Sequence, residues 1–534
     1  MCPLKEECHK LSTTLDFRFL IMNTESRTAK SLLNVKVALL FYFLNLVLQF
    51  FSRRMFLDYL GAEILGLNTT AQNLLGFLNL AELGVGSAVA YNLYKPLYDK
   101  DQNAINSIVS IQGWLYRRIA LGIIIGAGVL MCFFPLIFSK AQVPVWYTYG
   151  SFITLLMATL LGYFVNYRQI VLSADQKEYK ITLSIQGVKI VKIIFQLLAI
   201  RFCSYGYVWW MGIEIVMGIA TSYVLDYTIR KEYPWLKPRV FEGKKLREQY
   251  SGVITKTKQI FFHKIGGFVL TQTSPLIIYA YTSLTMVAVY GNYMLIVTGV
   301  TLLVNALLNS INAGVGNLVA EGNKQNIKSV FWELTSLRMW IASVICFGMY
   351  MLGDSFITLW VGKEYILPQT AFIVLILTTF ITLSRTNDAF LFAYGLYQDI
   401  WAPMIEATLN LGLSILLGYY WGLTGILSGV LISQLVIVYS WKPYFLYKKG
   451  FKEDVMEYVL RYLKYLCMLS LSFYTAQILV RDFQLTYNTY WLWSINACIS
   501  LSIYSFISLS LLFLGDNSSR KFIIRFYKII NNGY

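Results

Sequence analysis

The stretch LLNVKVALLFYFLNLVLQFF, residues 32–51, holds a single charge, Lys36. As a helix it is about 30 Å long, the thickness of a bilayer's hydrocarbon core. Inside lipid every backbone N–H and C=O must be satisfied within the segment, so such a stretch spans as a helix. Thirteen more apolar stretches follow, the last from Tyr490 to Leu514, and little chain is left between them for a soluble domain. The sequence therefore predicts an all-α integral membrane protein of about 14 transmembrane helices.

Composition agrees with this reading. Hydrophobic residues make up 57% of the chain and charged residues 14%, and mean hydropathy is +0.55, far from the balance of a soluble protein. The formal charge of +17 suggests nucleic acid only until the basic residues are mapped. They sit in short loops between apolar runs, with no stacking aromatics on a soluble basic face, so no nucleic-acid partner is expected. The seven cysteines form no CxxC pair, and only His9 and His263 could add imidazole ligands. Neither a disulfide framework nor a metal site is expected.

Lysine and arginine also orient the spans. The N-terminal tail, alternate loops from Leu93 onward with their adjoining helix ends, and the C-terminal tail hold 33 of the 45 basic residues. The opposite loops hold 6: Arg53, Arg54, Lys140, Arg201, Lys363 and Arg481. Both termini are expected in the cytoplasm. The longest internal loop, Arg230 to Lys258, carries nine basic residues and divides six spans from the next six. The expected layout is a tail at 1–31, a first six-helix bundle at 32–229 and a basic linker at 230–258. A second bundle at 259–447, two added helices at 448–514 and a tail at 515–534 complete it.

A repeat supports the division. Gly84-Val85-Gly86-Ser87-Ala88-Val89-Ala90 in the second span matches Gly314-Val315-Gly316-Asn317-Leu318-Val319-Ala320 in the eighth, 230 residues later. Ile105-Asn106-Ser107-Ile108 likewise matches Ile327-Lys328-Ser329-Val330. Six is even, so both bundles start on one side of the membrane. They are then parallel repeats about an axis along the membrane normal, with a central cavity between them. The stretch from Leu284 to Val319 is too long for one crossing and is expected to tilt or project into water.

The segment Phe56-Leu57-Asp58-Tyr59-Leu60-Gly61-Ala62-Glu63-Ile64-Leu65-Gly66-Leu67-Asn68 continues to Leu80-Ala81-Glu82-Leu83-Gly84-Val85-Gly86-Ser87-Ala88 and ends in Leu93-Tyr94-Lys95-Pro96-Leu97. It resembles the N-terminal signature of bacterial polysaccharide-type flippases. These are the O-antigen (Wzx-like) branch of the multidrug/oligosaccharidyl-lipid/polysaccharide exporter superfamily. The resemblance implies two six-helix bundles in a V and a bacterial inner-membrane location. It also implies a lipid-linked oligosaccharide of the undecaprenyl-pyrophosphate type, moved from the cytoplasmic to the periplasmic leaflet. Membrane lipid and polysaccharide assembly proteins would be the partners. No enzyme activity and no cofactor are expected, with coupling to H⁺ or Na⁺ left open.

Such a cargo needs a hydrated cavity for sugars and fixed cations for a diphosphate. Intramembrane charges are costly and face bundle interiors, so they are the informative residues. Lys36 opens the first span and Lys264, beside His263, opens the seventh, at an offset of 228. They read as paired phosphate-binding cations at the cytoplasmic mouth, or as snorkelling lysines. Arg53 and Arg54 are next in line. Glu82 lies near the middle of the second span and reads either as an ion-coupling or sugar-binding carboxylate or as a packed one. Lys192 and Glu214 sit at similar depth on consecutive antiparallel spans and read as a structural ion pair. Arg385 and Asp388 are spaced to pair on one helix face.

Two other classes compete. A cation-coupled multidrug or metabolite exporter shares the fold but not the Phe56 to Leu97 signature. A membrane enzyme lacks a large outer loop and a histidine constellation. Residues 1–21 match no targeting pattern, and Met22 opens a polar lead into the first span, so Met22 is the expected initiator.

Overall fold

The computed structural model describes residues 27–82, 85–250, 272–396, 401–481, 489–521 and 523–524. Every regular element among them is helical. Among the described residues, eleven helices are long and apolar enough to cross a membrane. The count falls below fourteen for local reasons: two pairs of spans run together through bends, a turn breaks the second span, and most of the seventh lies outside the described residues. Lys264 falls in that part.

Helix α1, Arg27–Leu78, bends at Gly61 (φ 81°, ψ 167°), a left-handed conformation open to glycine at no steric cost. A 3₁₀ turn, Asn79–Glu82, then leads to α2, Val85–Asp99. Lys30, Tyr94 and Tyr98 line one recess, so the chain crosses and returns between these residues. The first bundle continues with α3, Gln102–Cys132, α4, Val145–Phe164, α5, Glu178–Phe202, and α6, Gly206–Glu232.

The second bundle is described from α7, residues 272–281. It continues with α8, Leu284–Glu321, α9, Lys324–Trp360, α10, Gln369–Leu383, and α11, Asn387–Ala393. Helix α12, Trp401–Gln434, bends at Gly422 and runs on to Phe451 through π-helical turns. Helices α13, Met456–Arg481, and α14, Tyr490–Gly515, pack on each other and on α9. At about 57 Å, α8 is as overlong as expected.

Contacts define two ends. Lys30, Lys177 and Lys180 meet Asp175 and Glu232 at one, and Lys328 meets Glu453 and Glu457 at the corresponding end of the second bundle. This is the basic end. Burial works to raise the Asp175 carboxyl, but Lys177, Tyr233 and Lys30 outweigh it and hold it below the usual carboxylate range. Gly61, Leu284, Trp360 and Tyr490 mark the far end.

The two bundles are joined unequally. One apolar core runs through the first bundle into the far-end half of the second, through Leu284, Tyr293, Trp360 and Phe372. The basic-end half of the second bundle has its own core around Phe331, Trp332, Tyr447 and Tyr465. The bundles are thus fused at the far end and separately packed at the basic end.

Candidate functional site

The seam between the bundles runs along α1 and α8. Arg53 donates to the Asn292 side chain and, at 3.0 Å, to the Ala288 carbonyl. Arg54 reaches the Leu359 carbonyl and the Tyr490 hydroxyl. Trp360 donates to the Phe50 carbonyl at 2.9 Å, Lys140 to Ala280 at 3.1 Å, and Tyr42 to Gly299 at 3.1 Å. These hydrogen bonds between the first bundle and the rest lie from the far end to mid-span.

Just below these contacts a cavity of about 410 Å³ lies between α1, α5 and α8. Tyr42, Asn45 and Gln49 line it from α1, and Thr182, Gln186 and Lys189 from α5. Asn45 donates to the Gln186 side chain at 3.0 Å. Lys189 makes no hydrogen bond or ion pair among the described residues. An unneutralised cation in a polar recess of a spanning helix suits an anionic or strongly hydrogen-bonding ligand. Both lining sets follow helical spacing, at i, i+3, i+7 and at i, i+4, i+7. Those polar stripes are visible in the sequence, but nothing local shows which way they face, so the sequence alone does not place Lys189 on a cavity.

Glu82 occupies the 3₁₀ turn that interrupts the second span. Tyr116 donates to its Oε1 and Tyr163 to its Oε2, each at 2.7 Å. The Tyr163 hydroxyl also lies 3.2 Å from Asn79 Oδ1. A carboxylate at this turn, capped on both oxygens, is held in one orientation. Gly84 falls outside the described residues. Its repeat partner region, Gly314 to Gly316, lies within the unbroken α8.

Lys36 is exposed near the basic end. Arg53 is about 26 Å further along the same helix, so Lys36 does not share a site with Arg53 or Arg54 in this conformation. Lys192 pairs with Glu214 at 2.6 Å, and Gln196 donates to the second Glu214 oxygen at 2.8 Å, as expected of a structural pair. Arg385 and Asp388 do not pair with each other. The helix breaks between α10 and α11, and the two charges diverge to Glu406 at 3.7 Å and Lys442 at 2.6 Å.

No protein-family model and no curated protein matches the chain. Solved structures do, among them two all-helical transport proteins. The lipid II flippase MurJ in an inward closed conformation aligns over 90% of this chain and 99% of its own, with a TM-score of 0.61 and 14% identity. A multidrug resistance MATE family transporter of the MOP superfamily, inward-facing, aligns over 76% of this chain and 96% of its own, with a TM-score of 0.55 and 14% identity. The chain shares the all-helical transporter fold of these proteins.

Proposed function

We propose that the protein is a flippase that moves a lipid-linked oligosaccharide of the undecaprenyl-pyrophosphate type from the cytoplasmic to the periplasmic leaflet, by alternating access, for polysaccharide or O-antigen-type assembly. The observation that carries this reading is the polar cavity at the α1–α8 seam, with Lys189 unneutralised inside it. A sugar headgroup crossing the bilayer needs hydrogen-bond partners in place of water, and Asn45, Gln49, Thr182 and Gln186 offer them. The seam divides two bundles that are latched at the far end, so the cavity is poised to be reached from the basic end, which we assign to the cytoplasm on the positive-inside rule. The flippase neighbour also accounts for more of the chain than the multidrug transporter does, 90% against 76%. A cation-coupled exporter is the alternative, and Glu82 between two tyrosines favours it to the extent that it binds an ion.

The test is transport in reconstituted vesicles, with a fluorescent polyprenyl-diphosphate oligosaccharide as cargo and a cationic dye as competitor substrate. The flippase reading expects the oligosaccharide to cross. It also expects Lys36→Gln and Lys189→Gln each to slow transport by roughly tenfold, the worth of one charge-assisted contact, with Lys36→Arg retaining most of it. Movement of the dye alone would transfer the protein to the exporter class.

A further inference from the structure

The second bundle holds a cavity of about 560 Å³ between α8, α9, α10 and α11, lined among others by Asn305, Arg338, Thr382, Arg385 and Asp388. It is separate from the seam cavity. Arg385 stands in the non-helical link between α10 and α11, about 24 Å along the span from Gln369. Arginine at such depth is costly unless its charge is met.

The charges around the cavity do not balance. Asp388 is taken by Lys442 at 2.6 Å. Glu406 stands 3.7 Å from Arg385, too far for a hydrogen bond, and the Arg385 Nε is buried without a partner. Arg338 makes no hydrogen bond or ion pair among the described residues. Three cations therefore face two carboxylates, and the two guanidiniums that line the cavity keep donors free. A closed structural network would have neutralised them. Two forked donors beside an amide and a hydroxyl match an oxyanion with several acceptor oxygens.

We propose that this cavity is an oxyanion site that receives the diphosphate of the lipid-linked cargo, with Arg338 and Arg385 as its binding residues. The inference rests on the flippase reading and adds the second bundle's share in holding the headgroup. In this arrangement Lys36 meets the cargo at the mouth, and the guanidinium pair holds it within the second bundle. An anion bridging Arg338 and Arg385 also relieves the repulsion between them, so the site is better matched filled than empty.

The experiment measures binding to the full chain in nanodiscs, with geranylgeranyl diphosphate, geranylgeraniol and inorganic pyrophosphate as probes. The diphosphate should bind and the alcohol should not. Arg338→Gln and Arg385→Gln should each weaken diphosphate binding about tenfold or more, and the Lys variants less, because they keep the charge and lose the fork. Competition by inorganic pyrophosphate would identify the anion alone as sufficient. Its failure to compete, with the arginine dependence intact, would identify a headgroup presented by the lipid. Arg338 holds no partner in place, so Arg338→Gln should fold even if Arg385→Gln, which strands Glu406, does not. Unchanged diphosphate affinity in folded Arg338→Gln, or equal binding of alcohol and diphosphate, overturns the site. Failure of wild-type protein to transport lipid-linked oligosaccharide would instead overturn the flippase reading, so the two fail separately.

Discussion

At the scale of single residues, position in the helix and partner together decide what a charge does. Lys192 and Glu214 sit at matching depth on neighbouring antiparallel helices, and they neutralise each other. Glu82 has no basic partner among the described residues. Two tyrosine hydroxyls satisfy its oxygens, and these hold a carboxylate without cancelling its charge. Glu82→Gln should therefore fold and reach the membrane, since the amide oxygen still accepts from one tyrosine, yet transport poorly at every pH if the residue couples an ion. Wild-type transport with an unchanged pH profile would assign Glu82 to packing. Asp516, just beyond α14, is a different case. Burial pushes its carboxyl up, but the Ser519 backbone N–H, the Tyr465 hydroxyl and the Arg461 guanidinium prevail and hold it below the usual range. Its contribution to stability is present above the unfolded carboxyl's pKa of about 4 and is lost as pH falls through the lower native value. Asp516→Asn should lower the melting temperature near pH 7, and the gap from wild type should close below about pH 4. A gap constant down to pH 3 would show that the charge contributes nothing there.

At the scale of elements, the informative events are interruptions. The turn at Asn79–Glu82 and the link between α10 and α11 each break a spanning helix beside a charged residue. Non-helical backbone at membrane depth is tolerated where it is covered by protein or faces a polar cavity, and the link between α10 and α11 faces one. The bend at Gly422 (φ 54°, ψ −132°) does something else. It folds α12 into a tight hairpin in which Gly425 and Gly429 lie against the backbones of Leu417 and Ser414, and Ser414 donates to the Ile426 carbonyl at 2.9 Å. Small residues four apart allow such an approach. Gly429→Leu should force the arms apart and cost about 1–3 kcal/mol of stability, seen as a lower melting temperature in detergent. No loss would mean that the arms can separate freely.

At the scale of the molecule, the bundles share a core and hydrogen bonds at the far end and have separate cores at the basic end. The proposed alternating access requires the far-end contacts to break, and Arg53 is central to them, because it joins α1 to both Asn292 and Ala288. Arg53→Ala removes charge-assisted bonds worth about 1.5–3 kcal/mol, enough to shift an opening equilibrium roughly tenfold or more. In a background free of native cysteines, Gln49→Cys should then react faster with an impermeant thiol reagent from the far side. Identical labelling with and without Arg53 would show that the latch lies elsewhere.

The sequence by itself determined that the chain is a helical membrane protein, roughly how many times it crosses, and that basic residues collect at one end. Each of these follows from local requirements: a span must satisfy its own backbone, and its length must match the bilayer. The Lys192–Glu214 pair was legible for the same reason, since consecutive helices joined by a short turn are neighbours. What only the tertiary structure decided is which polar groups meet across distant helices. Arg385 turns from Asp388, three residues away, to Glu406, because a break in the helix undoes the spacing that would have paired them. Lys189 faces a cavity built with residues from α1 and α8, and Glu82 meets tyrosines on α3 and α4. A stripe of polar residues fixes one face of a helix, but what that face meets depends on the packing of every other helix around it.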